Sequence, residues 1–161
     1  MSKALVNKEF LNTPNAVDMA YTPAGTGAVD TTIQAKLRES ISVKDFGAVG
    51  DGVIDDTAAI QAAMNAAETA GLPLLFAGST YAISSTTAYA LTAPANLTML
   101  GIQGLTTLKL LSAASNTAMV GRATTSTYFR CEGIIFDGNK ATISTRNISA
   151  LYFPEATTLI S

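Results

Sequence analysis

The sequence predicts a mainly β fold that begins behind a capped helix. Three observations carry that expectation. From Leu72 onward, short apolar strands alternate with Gly, Asn, Ser and Pro, the punctuation that β-strands require. Immediately ahead of them, a glycine-rich turn runs into a helical pattern stopped by Gly71 and Pro73. Apolar residues make up 48% of the 161 positions and charged ones 14%, which excludes a disordered chain and leaves much surface to bury internally or against other subunits.

The turn and helix are the densest part of the sequence. Between Ser42 and Gln61, the glycines Gly47, Gly50 and Gly52 permit tight reversals that a β-carbon would forbid. Asp55 and Asp56 stand just before Thr57, where carboxylates can accept the unpaired amides of a helix start and meet the positive end of its dipole. Ile60, Ala63, Met64 and Ala67 then form one apolar face of a helix expected over about 57–70.

The strands expected downstream are 74–76, 81–84, 97–100, 107–111, 129–136 and 150–153, with a Ser/Thr-rich insertion from Ser112 to Thr127. Their spacing is too loose for a strict repeat.

The run Ser42-Val43-Lys44-Asp45-Phe46-Gly47-Ala48-Val49-Gly50-Asp51-Gly52-Val53-Ile54-Asp55-Asp56-Thr57-Ala58-Ala59-Ile60-Gln61 resembles, almost residue for residue, the opening motif of pectate-lyase-like right-handed β-helix proteins. Polygalacturonase-type hydrolases and bacteriophage tailspikes belong to that superfamily. Residues 77–84 look like the family's first rung, with Phe76 where proline is usual; 96–101 and 104–108 resemble the next turn, and 133–140 a later one. The resemblance implies a right-handed parallel β-helix whose open first rung is covered by the helix. Such an edge would otherwise invite strand pairing.

Ahead of this motif, residues 1–30 are polar and turn-rich, with Asn12-Thr13-Pro14-Asn15 and Thr22-Pro23-Ala24-Gly25 as breakers. Thr31 or Thr32 can cap a short helix on which Ile33, Leu37 and Ile41 recur every four residues. That stripe has two readings, a linker helix lying on the β-helix or a seam between copies of the chain. Residues 21–29 and 32–39 look like the neck of phage tail proteins. The organisation expected is an extended segment over 1–30, a neck helix over 31–41, the opening motif and cap over 42–71, and the first two or three rungs over 72–161.

Candidate chemistry is sparse. Asp51, Asp55 and Asp56 could serve as paired acid and base or as calcium ligands, but adjacent side chains at a helix start diverge, and capping accounts for them. Asp137, before Gly138-Asn139, is expected to tie a turn. The chain has no histidine, no base beside a nucleophile and no phosphate loop, so no catalytic residue, cofactor or metal is expected in this span. Cys131 reads as a structural thiol. A formal charge of −2 gives no reason to expect nucleic acid or an anionic membrane as partner, and the first ten residues lack the apolar core of a secretory signal.

Together, the neck and the opening motif imply the amino-terminal part of a phage tailspike. The resemblance implies a homotrimer made in the host cytoplasm and carried on the virion tail. Residues 1–30 would dock on a tail, baseplate or adaptor protein. Regions beyond this span would bind, and depolymerise, a host surface polysaccharide. The alternatives are a polygalacturonase- or lyase-type enzyme lacking its active rungs here, and a non-catalytic adhesin.

Overall fold

The computed structural model describes residues 17–113, 117–122, 128–139 and 149–153. The first sixteen residues of the expected attachment segment, parts of the Ser/Thr-rich stretch, and residues 140–148 and 154–161 lie outside the described residues. The chain divides into two compact units, Met1–Glu39 and Ser40–Ser161.

In the first unit, β1 (Ala20–Tyr21) pairs antiparallel with β2 (Thr31–Thr32), and α1 (Ile33–Leu37) follows directly. The Thr32 hydroxyl accepts a hydrogen bond from the Ala35 amide at 3.1 Å, capping the helix, and Lys36 pairs with Glu39 at 2.6 Å. None of residues 17–39 is buried. Two-residue strands and a five-residue helix have little stability of their own. The apolar stripe expected through Ile33, Leu37 and Ile41 breaks after Leu37. Arg38 closes the helix, and Ile41 instead opens β3 (Ile41–Ser42), where it pairs with Leu74 and packs against the core. Ser42 then caps a 3-10 helix over Val43–Phe46, which fixes Ile41 as extended chain.

The second unit is built of parallel strands throughout. One sheet holds β3, β5 (Leu74–Leu75), β8 (Asn96–Leu100) and β11 (Tyr128–Glu132). A second holds β4 (Asp51–Asp55), β6 (Thr80–Ser84), β9 (Thr106–Ser112) and β12 (Ile134–Asp137). The third holds only β7 (Tyr89–Thr92), β10 (Ala118–Gly121) and β13 (Ser149–Tyr152). Strands visit the three sheets in turn, so each circuit after the first adds one strand to every sheet. This is the parallel β-helix that the sequence implied. Leu74 pairs with Met99 and Thr80 with Thr107, while Ile41 pairs with Leu74, so a circuit ranges from 25 to 33 residues. That spread explains why no strict period is visible in the sequence.

Besides β3, three strands of this unit were not foreseen. β4 hides in a run that reads as a turn, and β7 and β10 are four residues long. β10 lies inside the stretch expected to be an insertion, and all four of its residues are buried. The single strand expected over 129–136 is two, split at Gly133, whose φ of 67° turns the corner between sheets.

In the first circuit, β3 and β4 are followed by a helix, α2 (Thr57–Ala70), where later circuits place a third strand. α2 ends at Gly71, which takes the left-handed conformation at φ 66°. Its buried face, Ile60, Ala63, Met64 and Ala67, joins a core that includes Leu74, Tyr81, Leu91, Met99 and Leu108. Burying Ile60 and Met64 contributes about 1.5–3 kcal/mol each. The alanines of that face let the helix lie close to the strands beneath it.

Candidate functional site

The residues singled out from the sequence converge where the first circuit meets α2. The three aspartates there divide the work, and only one of them caps the helix. Asp55 accepts hydrogen bonds from the Thr57 amide at 2.9 Å and from the Thr57 hydroxyl. Asp56 occupies the position before the helix, yet its side chain makes no capping bond. It turns inward, 2% exposed, and accepts from the amides of Val49 at 2.6 Å and Gly50 at 3.0 Å. The expectation that both aspartates cap α2 is therefore corrected. A buried carboxylate must be satisfied by nearby donors, and the tight turn at Val49–Gly50 supplies two.

Asp51 does a third job. One of its carboxylate oxygens accepts from both the Val53 and Ile54 amides at 2.8 Å. β4 is the outer strand of its sheet, and its pairing with β6 shifts register between Asp51 and Asp55. Side-chain bonding and the irregularity together blunt an edge that could otherwise recruit another strand. The amides of Ile54 and Val53 hold the Asp51 carboxyl below the usual carboxylate range. At Asp55, burial pushes upward, but hydrogen bonds from the Thr57 hydroxyl and amide win and lower it.

Gly50 shows why the turn needs its glycines. Its φ is 69°, and a β-carbon there would meet Lys44 Nζ at 2.9 Å and Ser79 and Tyr81 at 3.0 Å. Lys44 Nζ donates to the Val49 carbonyl and sits 5.2 Å from the Tyr81 ring centroid, so it covers the turn from outside. Gly47 closes the 3-10 helix at φ 90°, and Gly52 holds φ 74° within β4.

Three residues of α2 do the closing: Thr57, which the sequence reading placed in the cap and entry turn, and Gln61 and Glu68, which it passed over. The Gln61 carboxamide accepts from the Thr92 amide at 2.8 Å and donates to the Thr92 carbonyl at 2.9 Å, which is how a neighbouring strand would treat the free edge of β7. The Thr57 hydroxyl accepts from the Ser84 amide at 2.8 Å, and the Asp56 amide donates to the Ala82 carbonyl at 2.8 Å, beyond the end of β4. Glu68 accepts from the Ala95 amide at 2.7 Å and from Asn96 at 3.4 Å, at the start of β8. Positions 57, 61 and 68 lie on one flank of a helix. A polar stripe beside the apolar one, on a helix with a single charged residue, was the available signal.

This arrangement holds structure. The carboxylates of Asp51, Asp55 and Asp56 are engaged by amides, and among the described residues no three His, Cys, Asp or Glu side chains gather as a metal would need. An open groove beside Thr57, Gln61, Ser84 and Thr86 has one carboxylate in its lining, Asp55, which accepts from the Thr57 amide and hydroxyl. Cys131 packs against the core, and burial pushes its thiol up to about 11, which keeps it protonated at neutral pH. Asp137 ties its turn by accepting from the Asn139 amide at 2.8 Å. No helix among the described residues is long and apolar enough to cross a membrane.

A 30-residue stretch is 77% identical to mannuronan C5-epimerase AlgE1 of Azotobacter vinelandii, covering 19% of this chain and 2% of that protein. A 59-residue stretch is 46% identical to the tail spike protein of an Escherichia phage, covering 37% of this chain and 7% of that one. The solved A-module of A. vinelandii mannuronan C-5 epimerase AlgE4 matches with a TM-score of 0.59 and 31% identity, over 70% of this chain and 33% of that one. The chain thus aligns with a small fraction of these curated relatives' length and about a third of the solved module. Residues 40–150, well over half of the chain, match the family model described as rhamnogalacturonase A/epimerase, pectate lyase-like, and the chain belongs to that family.

Proposed function

We propose that this chain is the amino-terminal portion of a phage tailspike, in which a capped β-helix mouth follows a segment that attaches to the virion. The carrying observation is the tail spike match. It extends over 59 residues, about twice the 30 residues of the epimerase match. Supporting it, the first unit stands ahead of the family-matched region, and none of its described residues is buried, as suits a segment ordered by docking. Residues 1–30 would contact a tail, baseplate or adaptor protein. Ile33 and Leu37 would meet their copies about a three-fold axis; Leu37 is 70% exposed and available for such a seam. The full-length protein would engage, and cleave, a host surface polysaccharide through later rungs.

Banding phage particles on a density gradient and sequencing their peptides tests this. Peptides of this chain should co-migrate with particles; their absence from particles of an expressing phage overturns the assignment. For the seam, Leu37→Asp should convert trimers to monomers by sedimentation, and an unchanged mass refutes it. A second reading, a polysaccharide-modifying enzyme unconnected with a virion, draws on the epimerase matches in sequence and structure. Full-length protein that epimerises or shortens a uronate polymer, in a cell without phage, would favour it. A full-length protein that binds polysaccharide and leaves chain length unchanged would point to the non-catalytic adhesin.

A further inference from the structure

Titratable groups are distributed very unevenly along the second unit. From Leu72 to Cys131 there is no Asp, Glu or His, so the first two complete rungs contain no side chain that titrates between pH 2 and 7. The opening motif and α2 contain five carboxylates, Asp45, Asp51, Asp55, Asp56 and Glu68. Every one of them accepts a backbone amide: Asp45 from Ser42 at 3.1 Å, Glu68 from Ala95 at 2.7 Å, and the other three as described above. The rungs are held by backbone ladders and an apolar core, both indifferent to pH.

We propose that residues 42–71 form an acid-releasable closure: protonating these carboxylates frees α2 from the solenoid mouth while the rungs stay paired. An ionised carboxylate is the stronger acceptor, so each proton gained weakens the bond it holds. Glu68 ties α2 directly to β8, Asp55 holds the helix start, and Asp56 holds the turn that leads into it. The other titratable or charged residues on elements packed against α2 are Lys44 and Asp45 on the 3-10 helix, Tyr81 on β6 and Tyr89 on β7; β3, β5 and β8 carry none. Asp51 and Asp55 titrate below their ordinary values in the folded chain. Their stabilisation is therefore complete above the unfolded carboxylate range near pH 4 and is lost as pH falls through the lower folded values. Release by this route is a local opening, with a free energy below that of global unfolding.

Hydrogen exchange on the whole chain, followed by mass spectrometry from pH 6 to pH 2.5, tests the proposal. Protection factors over 49–70 should fall about ten-fold or more per pH unit below pH 4, as linked protonation requires, while peptides covering β6, β8 and β9 keep theirs. Asp55→Asn, which retains an acceptor but cannot titrate, should reduce the steepness of the loss over 57–70. Simultaneous loss of protection in cap and rungs overturns the proposal. So does a cap that stays protected to pH 2.5, or an Asp55→Asn profile identical to that of the parent.

Discussion

The cap and the rungs solve the same problem with different groups. Between β6 and β9, or β7 and β10, each strand's amides and carbonyls are met by the backbone of the next circuit. At the mouth no strand among the described residues lies on the free side of β7, and side chains take over: Gln61 on Thr92, Thr57 on Ser84, Glu68 on Ala95. Backbone pairing tolerates almost any sequence, whereas side-chain pairing depends on particular residues at particular helical positions. The difference teaches that the cap is the sequence-specific part of this unit and the rungs the permissive part, provided the core is kept.

Breaking the core beneath the cap should have the largest effect. Met64→Ala removes a fully buried side chain at the centre of α2 and should cost about 2–5 kcal/mol in chemical denaturation. Next comes Asp56→Ala, which takes the acceptor from the amides of Val49 and Gly50 and should cost about 1–3 kcal/mol. Gly50→Ala forces a β-carbon against Tyr81 and Ser79 at φ 69° and should cost about 1–3 kcal/mol, where the same substitution in an open loop would be mild. Gln61→Ala should cost about 1–2 kcal/mol and raise the tendency to associate through the bared edge of β7, measurable by light scattering. The smallest effect belongs to Arg130→Ala on β11, whose exposed pair with Glu132 should leave the unfolding midpoint unchanged.

Much of the cap was legible because its signals are local. Gly71 and Pro73 mark a helix end, and Ile60, Ala63, Met64 and Ala67 recur at helical spacing, so the span of α2 follows from neighbours in sequence. The strands were legible where Val, Ile, Leu or Phe alternate with polar residues, as in β8 and β9. β7 and β10 failed that test. Their ends are small or polar, and parallel strands buried on both faces show no alternation. Asp56 was misassigned for a related reason. Its place before a helix favours capping, but its actual partners, Val49 and Gly50, are set by how the turn folds back. Ile41 was drawn into the neck stripe by its spacing of four from Leu37, although the capping Ser42 beside it required extended chain. Gln61 and Glu68 escaped notice because their partners lie 31 and 27 residues away.

The most direct test of α2 as a substitute strand is exchange at a single amide, that of Thr92, by NMR in the parent and in Gln61→Ala. If the Gln61 carboxamide closes the edge of β7, the Thr92 amide exchanges as slowly as ladder amides in the parent. In the variant it should exchange at least ten-fold faster, with Leu108 and Leu110 in β9 unaffected. A Thr92 amide already fast in the parent, or equally slow in both proteins, would contradict the account.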